Sequence, residues 1–333
     1  MINIFNAISR ITSFTRTEKS ATSRKDFLKG LAASVGTVPL VKAFAAPVMA
    51  AASEKLAPRA KKSVRTSCDL AVVKGGSPAA ITRRAIEALG GIDRFVRKGD
   101  TVVIKPNIGW DRGPEYAANT NPEVVEELIR LCKKAGARRV KVFDNTCNAP
   151  DMCYENSGIA PAVRKAEGHI AFVNRAKFLP GRFPEGSAMA DWPIYRDAVE
   201  CDCFINAPVA KHHGLTKLTL SMKNLMGVCG GTRGQIHWNI ENKLPELAKF
   251  INPDLTVIDA YRILLKHGPS GGDLKDVKKT GTVIAGTDPV LADSYATSLF
   301  GLRPKDIGHI MRAEQMGVGS TDTGRARITT LVV

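Results

Sequence analysis

TVVIKPN (Thr101–Asn107), NPEVVEELIRLCKKAGA (Asn121–Ala137) and RRVKVFDN (Arg138–Asn145) follow one another along the chain, and their reading decides the fold. The first and last are short β-branched runs of strand character. The middle one is an amphipathic helix that starts with Pro122 at its first helical position and stops at Gly136. A strand, a helix and a strand in that order are the signature of a parallel α/β sheet. Working outward, DLAVVKG (Asp69–Gly75), HIAFVN (His169–Asn174), CDCFINAP (Cys201–Pro208), LTVIDA (Leu255–Ala260) and GTVIAG (Gly281–Gly286) add further strands. A helical stretch runs from Pro78 to Phe95, and no period repeats. The fold class expected is therefore α/β, a mostly parallel sheet flanked by helices, built as one large domain or two intertwined lobes.

The 333 residues hold 48 basic and 32 acidic side chains, a net charge of +16. Near the start, Ser23–Lys29 reads SRKDFLK, one position from a twin-arginine export signal, with Lys25 in place of the second arginine. Leu31–Val41 is too short and too weakly apolar to span a bilayer and reads as a signal core, followed by Ala43-Phe44-Ala45 or Val48-Met49-Ala50 as a peptidase site. The expected division is a signal peptide over 1–50, a linker over 51–67 and an α/β domain over 68–333. The twin-arginine machinery is then a partner, the mature chain has no transmembrane span, and its location is periplasmic or extracytoplasmic. The leader through Lys42 carries seven basic and two acidic residues, so the rest keeps a net +11. Such a field favours a small anionic ligand. Aromatics make up only 6% and no nucleic-acid motif is present, which speaks against nucleic acid.

The seven cysteines form no CxxC, so an iron–sulfur cluster is disfavoured. Cys132 and Cys203 read as buried small hydrophobes. Cys147 and Cys153 bracket a loop, which points to a loop-closing disulfide or, as the lesser alternative, a metal-binding pair.

In parallel sheets ligands gather at the carboxyl ends of the strands. Those ends carry Lys105 and Asn107, Asp144 and Asn145, Asn206, Lys211, His212 and His213, Asp259, and Thr287 and Asp288. For any one strand alone, a turn former or helix cap is the better explanation, but five strands ending this way favour a shared pocket. The densest group is NAPVAKHHGLTKLTLSMKNLMGVCGG (Asn206–Gly231), read as a strand-end loop leading into a helix over Ser221–Cys229. Lys105, Lys211 and Lys223 are candidate anion holders, with Asn107, Lys217, Asn224, Asp259 and Asp288 as further binding residues. His212 and His213 are candidates for acid–base work or, as a pair, for a metal, and Asp144 or Asp259 for orienting them. Lys217, Ser221 and Asn224 have the spacing of one helix face. His237 and Arg233 flank a glycine-rich turn, but no phosphate-binding loop motif occurs there.

Four blocks carry a resemblance: VVIKPN (Val102–Asn107), Thr120–Ala137, Ile205–Gly227 and Val283–Gly301. From about Asp69 to about Gly319 the chain resembles the family catalogued as domain of unknown function 362. Many of its members bear ferredoxin-like CxxCxxC segments, which this chain lacks. A more distant likeness is to nickel-pincer lactate racemases, and it implies a metallocofactor with His213 as ligand and Lys223 as carrier. The leading expectation is an enzyme, an oxidoreductase or an isomerase, acting on a small anion, with a metal or metallocofactor as candidate helper. The alternative is a non-catalytic ligand-binding or cofactor-assembly protein.

Overall fold

The computed structural model describes residues 54–333. The signal reading over 1–50 and the first residues of the expected linker lie outside them. The strands are β1 (Leu70–Lys74), β2 (Thr101–Pro106), β3 (Arg139–Val142), β4 (His169–Ile170), β5 (Phe178–Pro180), β6 (Pro193–Tyr195), β7 (Cys203–Ala207), β8 (Val209–His213), β9 (Lys217–Thr219), β10 (Leu255–Leu264), β11 (Val277–Gly286) and β12 (Ile328–Val332). Ten of them form one sheet with the backbone order β12-β1-β11-β10-β7-β2-β3-β4, while β8 lies against β10 and β9 against β8. Pairing is parallel from β10 through β7, β2 and β3 to β4, and antiparallel at β10–β11, β11–β1 and β8–β9. This is the mostly parallel α/β sheet expected from the sequence.

The strands alternate between two cores. Leu70, Val72, Val103, Phe204, Ile258 and Ile284 pack on one face; Ala71, Val73, Val102, Ile104, Ile205, Val257 and Val283 pack on the other. Burial on both faces is why these runs read as continuous apolar segments. The helices are α1 (Pro78–Ala88), α2 (Pro122–Lys134), α3 (Pro150–Asn156), α4 (Ile159–Lys165), α5 (Arg196–Val199), α6 (Ser221–Asn224), α7 (Ile240–Ile251), α8 (Pro289–Thr297) and α9 (Gly308–Gln315). Helices α1, α2 and α4 cover the second face through Ile81, Ile86, Val124, Leu128 and Val163. Helices α7, α8 and α9 cover the first through Leu244, Leu247, Val290 and Ile310.

Three local expectations change. Residues 209–213 are not a loop: they form strand β8, held by Asp259↔Val209 and Leu264↔Lys211 pairing with β10. Lys217 lies in β9, so it does not share a helix face with Ser221 and Asn224. The expected strand His169–Asn174 pairs only over its first two residues.

Residues 54–67, expected to be linker, are strapped onto the domain. Leu56 bridges Gly181, and Arg59, only 5% exposed, pairs with the fully buried Asp254. The same carboxylate accepts from the Lys62 N–H at 3.0 Å and the Phe204 N–H at 2.8 Å. Asp254→Ala is therefore expected to leave a buried guanidinium and two N–H groups without their partner, at a cost of about 3–5 kcal/mol. Urea unfolding measures this, and a loss below about 1 kcal/mol would show that the strap is incidental.

Cys147 and Cys153 are both free thiols, so the expected disulfide is not formed. Cys153 is buried in the core on α3, whereas Cys147 is exposed beside the cavity described next.

Candidate functional site

The parallel strands β2, β3 and β7 run side by side in register, with Ile104 opposite both Val142 and Ile205. Their carboxyl ends consequently open on one edge, where the chain leaves them as Lys105-Pro106-Asn107, Phe143-Asp144-Asn145 and Ala207-Pro208. The β8–β9 arm and the α6 turn flank this edge and, with it, form an open cavity of about 900 Å³. Lys105, Asn107, Asp144, Lys211, His213, Lys223, Asn224, Arg233 and His237 all contribute to its wall.

Lys105 is consumed by structure. Its ammonium donates to Pro106 O at 2.7 Å and Asn224 Oδ1 at 2.9 Å, and lies 2.9 Å from Asp144 Oδ1. Asp144 Oδ2 accepts the Ile108 N–H at 2.7 Å. The Asn224 amide donates to Lys105 O and to Asn206 Oδ1, and Asn206 in turn donates to Ser221 O. This network fastens α6 to the ends of β2 and β7. Asp293 of α8 accepts the Ser221 and Met222 N–H groups at 2.7 and 3.1 Å and so seats the start of α6. Burial pushes the Asp293 carboxyl up to about 7, the bonds from Ser221 and Met222 opposing.

Lys211 and Lys223 differ from Lys105 in having no carboxylate partner among the described residues. Lys211, 1% exposed, donates to Ala118 O and to Asn107 Oδ1, the latter at 3.3 Å, and its Nζ lies 5.9 Å from the Trp110 ring centroid. Lys223, 7% exposed, reaches Met226 Sδ at 3.5 Å and His237 Nε2 at 3.2 Å. Burial without a countercharge disfavours the ammonium. Lys211 is brought down to about 7 and Lys223 to about 8, burial being the main cause in each. Two lysines are thus poised to take up protons when an anion enters.

Two imidazoles stand beside them. The His213 and His237 rings stack with centroids 5.4 Å apart. His213 Nδ1 accepts the Leu215 N–H at 3.1 Å, so in the neutral ring Nε2 carries the proton. His237 shows the opposite tautomer: Nδ1 donates to Gly234 O at 2.9 Å, leaving Nε2 as acceptor toward Lys223. Burial, then the nearby Lys223, lowers both rings, His213 to about 3, so both are neutral near pH 7. One imidazole can donate a hydrogen bond and the other can accept a proton.

His212 does not join them. Neighbouring residues on a strand point to opposite faces, and here Lys211 and its partner Thr219 line the main cavity while His212 and its partner Leu218 line a smaller recess with Leu265, Phe300 and Leu302. His212 Nδ1 accepts the Gly268 N–H at 3.1 Å. Only His213 of the two lines the main cavity, while both border the smaller recess. Among the described residues no cluster of three His, Cys, Asp or Glu side chains could hold a metal. The donor set present does not fit a metal held by protein ligands alone.

The remaining candidates lie elsewhere. Lys217 is exposed and donates to Asp306 O at 2.9 Å. Asp259 accepts the Asn121 and Tyr261 N–H groups at 2.7 and 3.0 Å and braces the start of α2; burial raises it to about 6. Asp288 is the N-cap of α8, accepting from Val290 and Leu291, and also takes the Ser320 N–H. In these two cases the turn and cap explanation holds. Sequence reasoning missed His237 and Arg233 as site residues, although the glycine-rich turn beside them marked a place where backbone crowds something. Arg233 donates to Asn145 O, Thr146 O and Cys147 Sγ, tying that turn to the end of β3.

No helix of the described residues is long and apolar enough to cross a membrane. Across 258 residues the chain is 29% identical to the thylakoid-associated protein sll1697 of Synechocystis sp. (strain ATCC 27184 / PCC 6803 / Kazusa), covering 74% of this chain and 78% of that one. Among solved structures it is similar to the lactate racemase apoprotein from Thermoanaerobacterium thermosaccharolyticum, with a TM-score of 0.43 and 15% identity over 71% of this chain. The chain spans 57% of that protein's length. The family described as Domain of unknown function (DUF362) matches residues 102–298, more than half of the sequence and the whole of the cavity wall from Lys105 to His237, and the chain belongs to that family.

Proposed function

We propose that this protein is an enzyme acting by proton transfer on a small carboxylate-bearing substrate held in the strand-end cavity. The observation that carries the reading is the pair Lys211 and Lys223, both buried, both facing one cavity and neither paired with a carboxylate. A fold that needed only stability would not keep two such groups, because a buried cation without a partner is costly. A bound carboxylate supplies the missing countercharge. The neutral His237 then presents a lone pair where a general base is wanted, and His213 an N–H that can hydrogen-bond to charge developing on the substrate.

The test is hydrogen exchange at carbon. Small carboxylic acids that the protein retains are incubated with it in deuterium oxide and followed by NMR. The expected result is enzyme-dependent exchange of the proton next to the carboxylate, lost on His213→Phe while the acid is still bound. Stoichiometric retention with neither exchange nor turnover would overturn the catalytic reading in favour of a ligand-holding or assembly protein.

A further inference from the structure

Lys223 and His237 form a more specific arrangement than an anion site requires. Lys223 Nζ lies 3.2 Å from His237 Nε2, and His237 Nδ1 is anchored at 2.9 Å on Gly234 O. A nucleophile, a base within hydrogen-bond reach and a third group that fixes the base is the arrangement of nucleophilic catalysis. Neither other buried lysine of the cavity has it. Lys105 is locked to Asp144, Asn224 and Pro106 O. Lys211 is tied to a carbonyl and an amide oxygen, with no base beside it.

From this geometry we propose that Lys223 is an imine-forming nucleophile and that the substrate is a small 2-oxo acid, its carboxylate on Lys211 and its ketone carbon at Lys223 Nζ. The proposal deepens the carboxylate reading above and rests on it. A monoanion suits the site better than a dianionic phosphate, since with Lys223 spent on the carbonyl, Lys211 is the one ammonium of the wall left for the anion, Lys105 being neutralised by Asp144 and Arg233 holding Asn145 O, Thr146 O and Cys147 Sγ.

The step balances without an oxidant or reductant. The lone pair of the neutral Lys223 amine attacks the carbonyl carbon, and the carbonyl π pair moves onto oxygen. One nitrogen proton passes by way of His237 Nε2 to that oxygen to give the carbinolamine, and the second follows the same route to the hydroxyl, which leaves as water as the C=N bond forms. His237 ends neutral, as it began. Burial of Lys223 keeps a usable share of free amine near neutral pH.

The experiment is reductive trapping with pyruvate as probe. The purified protein is incubated with pyruvate and cyanoborohydride, its intact mass is measured, and the modified peptide is sequenced. Propionate, which lacks the ketone, is titrated separately to read the anion site alone. The expected result is one reduced pyruvyl group per chain, on Lys223 of the wild-type protein, formed at least tenfold more slowly in His237→Phe. Because the position is mapped in the wild type, the assignment does not depend on whether a Lys223 variant folds. Propionate binding without trapping, or trapping on Lys211 or on surface lysines, would overturn the imine and leave the anion site standing. Failure to bind either acid would remove both.

Discussion

Gly227→Ala is expected to unfold the site from its centre. A Cβ at this position would lie 1.8 Å from Asp144 Oδ1, 2.5 Å from Lys105 Cε and 2.7 Å from its Nζ. None of these atoms is free to move aside. The Lys105 ammonium already has three acceptors, and the Asp144 carboxylate holds the Ile108 N–H as well as the ion pair. The main chain is no freer, because Gly227 O accepts the Asn145 N–H at 3.1 Å and so joins the turn after α6 to the end of β3. Either the buried pair separates or the turn lifts off the sheet. Separating a buried pair costs about 3–5 kcal/mol, which for a domain of this size lowers the melting temperature by roughly 6–15 °C. Thermal unfolding followed by circular dichroism measures it, and an unchanged transition would contradict the packing described around Lys105. Binding of any cavity ligand should fall with it, since the same turn carries Lys223.

The second large effect concerns Lys211 and Lys223 and has opposite signs for binding and for stability. Replacing either by Met removes a cation from the cavity, and each variant is expected to bind small carboxylates at least tenfold more weakly, about 1.4 kcal/mol per tenfold. The unliganded variants should be no less stable than the wild type. The sign follows from the pKa values. Lys211 falls from its ordinary value to about 7 on folding and Lys223 to about 8. Between those values and about 10.4 the unfolded chain holds more protons than the folded one, so these groups make stability rise with pH across that window. Below about pH 7 both lysines are charged and their full penalty is present. Lys211→Met should therefore raise the melting temperature of the empty protein more near pH 6 than near pH 9. A variant that loses stability equally at both pH values would mark Lys211 as a structural residue.

How far the sequence led depended on what held each element in place. Strands β1, β2, β7, β10 and β11 were legible because both of their faces are buried and their apolar runs say so, and β3 because Val140 and Val142 alternate with polar residues. The β8–β9 arm was not. VAKHH and KLT carry little strand signal, and they become strands because the far end of β10 pairs with β8 and β9 folds back onto β8. That pairing also decides between the adjacent histidines, since the strand alternation turns His213 toward the cavity and His212 away. The lysines show a similar limit. Lys105, Lys211 and Lys223 look alike along the chain, but only Lys105 is met by a carboxylate, from Asp144 at the end of β3, and that depends on the β2–β3 register. His237 escaped because its role comes from the tautomer fixed by Gly234 O and from the approach of Lys223, which spacing does not reveal.

The central claim is that Lys211 and Lys223 await an anion, and proton-linked calorimetry tests it most directly. A small carboxylate without a ketone, such as propionate, is titrated into the protein near pH 8 in two buffers of different ionisation enthalpy. Binding should draw protons from the buffer, because the anion raises both lysines from their depressed values, and the uptake should fade near pH 6, where they are already charged. Affinity should strengthen as the pH falls from about 9 to about 6. Carboxylate binding that exchanges no protons and ignores pH across this range would contradict the account.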